Sequence, residues 1–412
     1  MNKWSLCFFL FLGITPQAFL QQTRILFIGN SYTYVNDLPG TFSQLALSLG
    51  DSVYYDSNTP GGSNFNQHAT DPTCLAQIAT PGWDYVVLQD QSQEPAFPPA
   101  QVATDTYPWA KRLDSLVHAA NPCAITMFYM TWGRKYGDAS NCAFYPPLCT
   151  FSGMTDRLRQ SYLWFATDFY ARVSPVGIAW RNAWEADSSI NLWIADDSHP
   201  SVAGTYLTAC VFYAAIFHQS PVGATYTAGL TGPQASFLQH IASQTVFDSS
   251  NVWMLHQNPV HAAFTDTIAQ SQVDFHPQTY NAHQFWWDFG DGVGYSSLEN
   301  SSYFYTSPGT YHVQFIASNG CYADTAEHDV TIAVVGLDDT NMDPEIILYP
   351  NPSTGYIYVK NIASDTPFCL YNSQGSIIMQ GKLSSAPVDL TGIAPGAYYL
   401  HINNKHWKMI IQ

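Results

Sequence analysis

A serine that closes a buried strand is the first residue of this chain that could do chemistry. In ILFIGNSYT (25–33) an apolar run ends abruptly in Gly-Asn-Ser, which is typical of a strand covered on both faces. A serine there projects from the carboxyl edge of a parallel sheet, where open α/β folds place their sites. A following helix would direct its first N–H groups toward a developing oxyanion. Ser31 is therefore a candidate nucleophile, although Gly-Asn-Ser is also common in turns.

An aspartate and a histidine three residues apart form the second candidate group. Within DDSHPSVAGTYL (196–207), Asp196 and His199 stand at i and i+3, so their side chains can meet on a single turn. The carboxylate would orient the imidazole, and the imidazole could then accept the proton of a serine hydroxyl. The alternative is a plain helix start, in which Asp197 or Ser201 is the N-cap and the histidine is solvated.

Two loops could supply donors to the same site. PGGSN (60–64) follows a strand-like stretch, and the backbone N–H of Gly62 can approach a ligand closely because the residue has no Cβ. VVLQDQS (86–92) is an apolar strand that ends in Gln89 and Gln91, and a carboxamide N–H is a suitable oxyanion donor. Either segment also reads as an ordinary loop after a strand. Taken together, the four segments would provide nucleophile, base, orienting carboxylate and donors.

The elements that must position these residues follow an α/β pattern from Thr23 to about His218. Strand-like apolar runs alternate with stretches of helical spacing, which predicts a parallel sheet with helices on both faces. The predicted strands are ILFIG (25–29), YVVLQ (85–89) and AITMFYM (124–130), and the predicted helices lie at 42–50, 109–119, 202–217 and 234–245.

The four segments, in this order from Ile25 to Tyr213, resemble the conserved blocks of the SGNH (GDSL-like) hydrolase superfamily. The resemblance implies an α/β domain at 22–250 with a flavodoxin-like, three-layer α/β/α architecture. It also implies Ser31 as nucleophile, His199 as general base and Asp196 as the carboxylate that orients the base.

The resemblance further implies an oxyanion hole built from the backbone N–H groups of Ser31 and Gly62. Asn30 stands where an aspartate usually precedes the serine of this superfamily. The block that normally reads Gly-x-Asn-Asp is Gln89-Asp90-Gln91-Ser92 here, so Gln91 takes the place of the asparagine donor, with Gln89 as the rival.

The two ends of the chain carry signals of export. Residues 1–21 have a lysine, an apolar run and small residues, the layout of a secretory signal peptide, with a buried strand as the alternative. LYPNPSTG (348–355) opens a segment at 346–412 that resembles the C-terminal sorting domain of type IX secretion in Bacteroidota, with a plain β-sandwich module as the alternative. The resemblance implies handling by that secretion machinery and a secreted or cell-surface location, and the sequence predicts no transmembrane span.

Between these regions, residues 257–335 contain short alternating strands and turns that predict a small β-sandwich. WDFGDG (287–292) and SPGTYHVQFIASNG (307–320) resemble a PKD domain, and residues 336–345 would be a linker. Trp286, Trp287 and Tyr305 could form a sugar-stacking face or belong to the core. Asp288 and Asp291 could hold Ca²⁺ or act in a turn.

Charge and cysteine content narrow the partners. The chain has 14 Lys and Arg against 31 Asp and Glu, a net charge of −17, which disfavours nucleic acids and anionic membranes and favours neutral ligands such as glycans. Of the seven cysteines after the leader, Cys142 and Cys149 bracket a segment that a disulfide could close, metal binding being the rival.

These observations predict a secreted serine esterase that forms an acyl-enzyme and acts on O-acetyl or similar esters of glycans, without metal or organic cofactor. The alternative is a non-catalytic glycan-binding or adhesive surface protein on the same scaffold. An arylesterase, thioesterase or lysophospholipase on the same triad is a third possibility. The sequence assigns neither the acyl group nor the alcohol, the substrate-binding residues or the oligomeric state.

Overall fold

The computed structural model describes residues 22–333, 346–384, 386–403 and 405–412. The predicted signal peptide at 1–21 and the predicted linker at 336–345 lie outside the described residues. The chain divides into two compact units, residues 1–332 and 333–412.

A five-stranded parallel sheet forms the centre of the first unit, and its strands are β1 (Thr23–Ile28), β2 (Val53–Asn58), β3 (Tyr85–Leu88), β4 (Ile125–Tyr129) and β5 (Arg172–Ser174). The strand order β2-β1-β3-β4-β5 is that of flavodoxin-like doubly wound folds. Ile25 to Ile28 are almost fully buried because helices cover both faces of such a sheet. The predicted α/β class is confirmed, and the order reverses between β1 and β3, where folds of this kind bind ligands.

Helices of very different length connect the strands. In the described residues they are α1 (Ser31–Tyr34), α2 (Leu38–Ser48), α3 (Phe65–Thr70), α4 (Pro72–Ile78), α5 (Pro99–Asp105), α6 (Tyr107–Ala120), α7 (Phe151–Asp168), α8 (Val176–Ala186), α9 (Val202–Phe217) and α10 (Gly232–Phe247). The sequence of α9 is apolar all round, and every residue from Ala203 to Ile216 is buried, as expected for a helix enclosed by its neighbours α2, α8 and α10. No helix among the described residues is both long and apolar enough to cross a bilayer.

An antiparallel β-sandwich completes the first unit. Its strands are β6 (His261–Ala269), β7 (Gln272–Tyr280), β8 (Gln284–Asp288), β9 (Tyr295–Ser296), β10 (Ser301–Phe304), β11 (Gly309–Ser318) and β12 (Ala323–Ile332). They form two sheets, β10-β7-β6 and β12-β11-β8-β9. Trp287 and Tyr305 lie in the core between the sheets, whereas Trp286 is 46% exposed.

The aspartates of the predicted Ca²⁺ or turn motif make turn hydrogen bonds. Asp288 accepts the N–H of Gly290, and Asp291 accepts the N–H groups of Val293 and Gly294. These are the side-chain to backbone bonds by which aspartate stabilises a turn.

A disulfide joins the sandwich to the α/β domain. It links Cys123, just before β4, to Cys321, in the turn between β11 and β12. Beside it the carbonyl of Pro122 accepts hydrogen bonds from the side chains of Asn281 and Asn319. The predicted disulfide between Cys142 and Cys149 is also formed.

The second unit is all-β, as predicted. Its strands are β13 (Ile347–Tyr349), β14 (Tyr356–Lys360), β15 (Pro367–Asn372), β16 (Ile377–Lys382), β17 (Val388–Asp389), β18 (Gly396–Ile402) and β19 (Lys405–Ile411). They form the antiparallel sheets β13-β14-β17 and β16-β15-β18-β19 around a core that includes Leu370, Leu400 and Trp407.

Candidate active site

Ser31 is the first residue of α1, directly after the turn that ends β1. Asn30 is the N-cap of this helix, and its side-chain oxygen accepts the N–H of Tyr32 at 3.1 Å. Gly29 is required in the turn, because a Cβ there would lie 2.5 Å from the side-chain oxygens of Gln89 and Thr33. The tight turn thus places Ser31 at the carboxyl edge of the sheet, where it is half-buried.

The side chains of Ser31, His199 and Asp196 form a continuous chain of hydrogen bonds. The Ser31 hydroxyl lies 2.8 Å from Nε2 of His199, and Nδ1 of His199 lies 2.5 Å from Oδ2 of Asp196. An Nδ1–H that donates to the carboxylate leaves the Nε2 lone pair facing the serine hydroxyl. The structure therefore brings the three residues together, although 168 positions separate Ser31 from His199.

The carboxylate of Asp196 also organises its own loop. Partial burial opposes ionisation of this group, but hydrogen bonds from the backbone and ring of His199 and from the Ser198 N–H lower the pKa of Asp196 below its ordinary value. The group is therefore ionised at neutral pH, and it fixes both the backbone and the ring of His199.

An aromatic stack that the sequence did not predict supports the histidine loop. The Trp132 ring lies between Tyr32, at 4.6 Å, and Trp180, at 3.6 Å, and it is parallel to both within 4°. Nε1 of Trp132 donates to the carbonyl of Ser198 at 3.0 Å, and the Tyr32 hydroxyl lies 2.7 Å from the Ser198 side-chain oxygen. The stack thus ties the loop that carries His199 to the helix that begins with Ser31.

Two backbone N–H groups are candidate oxyanion donors. Ser31 begins α1, so its N–H has no partner inside the helix. Gly62 is exposed, has a φ of 75°, and would meet nothing within 4 Å if it carried a Cβ. The loop that contains Gly62 is connected to the serine turn, because the side-chain N–H of Asn30 donates to the carbonyl of Ser63 at 2.8 Å.

The two candidate glutamine donors have different surroundings. Gln89 is fully buried, its side-chain oxygen accepts the Asn30 N–H at 2.8 Å and the Thr33 hydroxyl at 2.9 Å, and its side-chain nitrogen donates to the carbonyl of Asp90. Gln91 is half-buried, its side-chain oxygen accepts the N–H groups of Gln93 and Glu94, and its side-chain nitrogen donates to the Gln93 side chain at 3.2 Å. The Gln89 amide is thus occupied in holding the serine turn.

The buried carboxyl group of Asp90 links the loops after β2 and β3, which carry the candidate donors Gly62 and Gln91 and are called the donor loops below. The sequence analysis gave Asp90 no role. Oδ1 of Asp90 accepts the N–H groups of Phe65 and Gln91, each at 2.8 Å, while its buried Oδ2 has no partner. Complete burial, and then the charge of Glu94, raise the pKa of Asp90 well above its ordinary value. Asp90 joins the loop after β2 to the loop after β3, and a polar residue at the exit of an apolar strand is the signal that could have identified it.

The arrangement has the parts that acyl transfer requires. A hydroxyl, an imidazole and a carboxylate are linked in sequence, and the Ser31 N–H at the start of α1 has no partner inside the helix. Within the described ranges, no group of three or more His, Cys, Asp or Glu side chains is placed to hold a metal ion.

Comparison with known proteins identifies the two C-terminal domains. Residues 256–334 match the PKD domain family, and residues 347–412 match the family described as a secretion system C-terminal sorting domain. Both resemblances predicted from the sequence are confirmed. The sorting domain indicates export through type IX secretion, to the cell surface or the medium. No curated protein matches the chain.

The N-terminal half is similar to solved structures of hydrolase-like proteins. A DUF4886 family protein from Bacteroides uniformis is 16% identical, with a TM-score of 0.46 over 55% of this chain and 96% of that one. A candidate SGNH hydrolase from Slackia heliotrinireducens is 28% identical, with a TM-score of 0.38 over 46% of this chain and 97% of that one.

A solved PKD domain is also similar to part of the chain. The PKD1 domain of Vibrio anguillarum Epp is 22% identical, with a TM-score of 0.18 over 18% of this chain and 94% of that one. With TM-scores below 0.5, these similarities do not define an activity.

Proposed function

We propose that this protein is an exported serine hydrolase that cleaves carboxylic esters, with Ser31 as its nucleophile. The observation that carries the proposal is the unbroken chain of hydrogen bonds from Ser31 through His199 to Asp196. A serine hydroxyl is a weak nucleophile until a base accepts its proton, and the base is effective only when it is held in the correct tautomer.

In the proposed reaction, Ser31 Oγ attacks the ester carbonyl carbon while its proton moves to Nε2 of His199. The tetrahedral intermediate collapses, the C–O bond to the alcohol breaks, and the imidazolium returns the proton to the leaving alcohol. Water, deprotonated by the same nitrogen, then attacks the acyl-enzyme and releases the acid and Ser31. Asp196 stabilises the imidazolium in both steps through Nδ1.

We assign the oxyanion hole to the backbone N–H groups of Ser31 and Gly62, with Gln91 as the third donor. Gln91 is preferred to Gln89 because Gln89 is fully buried and its amide holds the serine turn, whereas Gln91 is half-buried and its side-chain nitrogen makes one longer bond, to Gln93 at 3.2 Å. Loss of one such donor typically costs about 3 kcal/mol of transition-state stabilisation.

For the substrate, we propose O-acetyl or similar esters on glycans. Export by the sorting domain places the protein where extracellular glycans occur, and the net charge of −17 favours neutral over anionic ligands. No metal or organic cofactor takes part in the proposed steps.

The test of the proposal is hydrolysis of p-nitrophenyl acetate by the purified protein and by Ser31→Ala, both shown to be folded by circular dichroism. Loss of the nucleophile should reduce kcat by about 10³-fold or more. Equal turnover by the two folded proteins, on acetate and on longer acyl esters, would rule out Ser31 as the nucleophile.

A glycan-binding role of the sandwich is a second candidate function, and one observation favours it. Trp286 is 46% exposed and stacks on exposed Tyr295, with ring centroids 5.5 Å apart. Two solvent-facing rings on one sheet provide a surface on which sugars can stack. Retention of the wild-type protein, but not of Trp286→Ala, on an insoluble glycan would support this role.

A further inference from the structure

A polar cavity of about 340 Å³ lies beside the loops that carry the candidate oxyanion donors. Its walls come from the loop after β2, the loop after β3, helix α5 and the start of α6, and they include Asn64, Glu94, Gln101, Asp105 and Trp109. This volume falls within the range of about 300–1,000 Å³ found for small-molecule sites.

The cavity is connected to the serine turn through a short series of contacts. The Asn30 side chain donates to the carbonyl of Ser63, and the next residue, Asn64, lines the cavity. With standard bond lengths, the Cα atoms of Ser31 and Asn64 are at most about 13 Å apart. This separation is short enough for one oligosaccharide to reach both Ser31 and the cavity.

The groups on the walls fit a neutral, hydroxyl-rich ligand. Amides such as Asn64 and Gln101 both donate and accept, the carboxylates Glu94 and Asp105 accept hydroxyl protons, and Trp109 offers an aromatic ring. None of the described residues that line the cavity is Lys or Arg, whereas Glu94 and Asp105 are acidic, so the lining disfavours an anionic ligand.

The acidic groups on the wall already repel one another. Burial, with a smaller contribution from the charge of Asp105, raises the pKa of Glu94 above its ordinary value, although Asn64 donates to this carboxylate at 2.8 Å. A hydroxyl donor from a ligand would offset part of this repulsion, whereas a further carboxylate would increase it.

An unpaired buried hydroxyl also points to a ligand. Thr106 lines the cavity, is 1% exposed, and its Oγ1 has no hydrogen-bond partner among the residues that the structure describes. It stands at the N-cap position of α6, where a threonine normally bonds to the first turn of the helix, yet it makes no such bond. Because buried hydroxyls are usually satisfied, a ligand hydroxyl is the partner expected here.

We propose that this cavity binds a sugar unit of the neutral glycan that carries the ester, and so acts as the alcohol-side subsite. The role of the bound sugar as the alcohol part of the substrate rests on the proposed function, whereas the binding of a sugar does not depend on it.

The test is isothermal titration calorimetry of the full chain with unesterified xylotetraose, mannotetraose and cellotetraose. Because these probes contain no ester, their binding does not depend on Ser31, and failure of this proposal can be separated from failure of the esterase activity. At least one probe should bind, and Trp109→Ala and Asp105→Asn should each weaken that binding by about 10-fold or more. Tyr54→Ala removes a half-exposed ring at the amino end of β2, away from the cavity, and should leave it unchanged.

Three results would overturn the proposal. The first is no binding of any neutral probe at millimolar concentration. The second is binding that neither cavity variant changes, including binding that only Trp286→Ala abolishes, which would place the sugar site on the sandwich. The third is preferential binding of a cationic glucosamine tetramer or an anionic galacturonate tetramer.

Discussion

Two aspartates show that the loop that carries His199 and the donor loops after β2 and β3 are held in place in different ways. Asp196 is exposed, accepts hydrogen bonds from the loop that carries His199, and has a lowered pKa. Asp90 is completely buried, joins the two donor loops, and has a raised pKa. The same side chain therefore serves as a charged partner of the histidine in one loop and, in the other, as a buried link with a raised pKa, because burial disfavours the charged form.

The difference also concerns what each loop requires to stay in place. The histidine loop packs against the Tyr32–Trp132–Trp180 stack, so its position depends on apolar contact and on two hydrogen bonds to Ser198. The donor loops are held by hydrogen bonds to buried side chains such as Asn30, Gln89 and Asp90. Changes on the histidine side should therefore alter catalysis, whereas changes to the buried side chains that hold the donor loops should mainly alter stability.

The largest expected effect is that of Asp196→Asn. An amide in place of the carboxylate favours the wrong histidine tautomer and no longer stabilises the imidazolium, so kcat for p-nitrophenyl acetate should fall by about 10⁴-fold. Asp90→Asn is the matched control, because the same substitution at a buried carboxyl outside the Ser31–His199–Asp196 hydrogen-bond chain should change kcat far less. Similar losses in both folded variants would contradict the comparison.

An intermediate effect is expected from the pH dependence of stability. The pKa of Asp90 is higher in the folded chain than in the unfolded one, so the folded state binds more protons and the free energy of unfolding should fall as pH rises above about 4 toward the raised pKa. Asp90→Asn removes this titration, and its stability relative to the parent should increase by at most about 1.4 kcal/mol per pH unit over that range.

Urea denaturation from pH 4 to 9 measures this difference, and Asp196→Asn provides the opposite case below about pH 4. The pKa of Asp196 is lowered in the folded chain, so the stability contributed by this group is present at neutral pH and is lost as pH falls through the folded pKa. A stability difference between Asp90→Asn and the parent that does not change from about pH 4 to 9 would show that folding does not raise the pKa of Asp90.

The smallest effect is expected from Tyr32→Phe. This change removes the hydroxyl beside Ser198 but keeps the ring in the stack, and a single hydrogen bond of this kind is worth about 1 kcal/mol. We expect kcat to fall about 5-fold with KM unchanged, because a looser histidine loop affects the reaction and not substrate binding. Tyr34→Phe, on the exposed side of the same helix, should behave as the parent. An unchanged kcat would show that the hydroxyl does not position His199.

Much of this molecule could be predicted because the relevant signals are local. Apolar runs such as Ile25 to Ile28 predicted buried strands, and the turn signals after Val260 predicted a sandwich. The i, i+3 spacing of Asp196 and His199 predicted their contact, which the structure contains. The roles of Ser31, Gly62 and Gln91 remain predictions, since geometry alone does not measure turnover.

Other features were beyond local reasoning because they join distant positions. The residues next to Trp132 in the sequence do not indicate that its ring stacks between Tyr32 and Trp180. Likewise, the sequence around Cys123 does not indicate a disulfide with Cys321, 198 positions away. Trp286, Trp287 and Tyr305 look alike in the sequence, but only Trp286 faces solvent.

The sequence by itself determined which elements form and which residues could react, because strand and helix periodicity, turn chemistry and capping act over a few residues. Tertiary structure alone decided which side chains are in contact and which are buried away from solvent. The pKa values of Asp90 and Asp196 depend on this burial, because the stability of a charge is set by the solvent and dipoles around it and not by its neighbours along the chain.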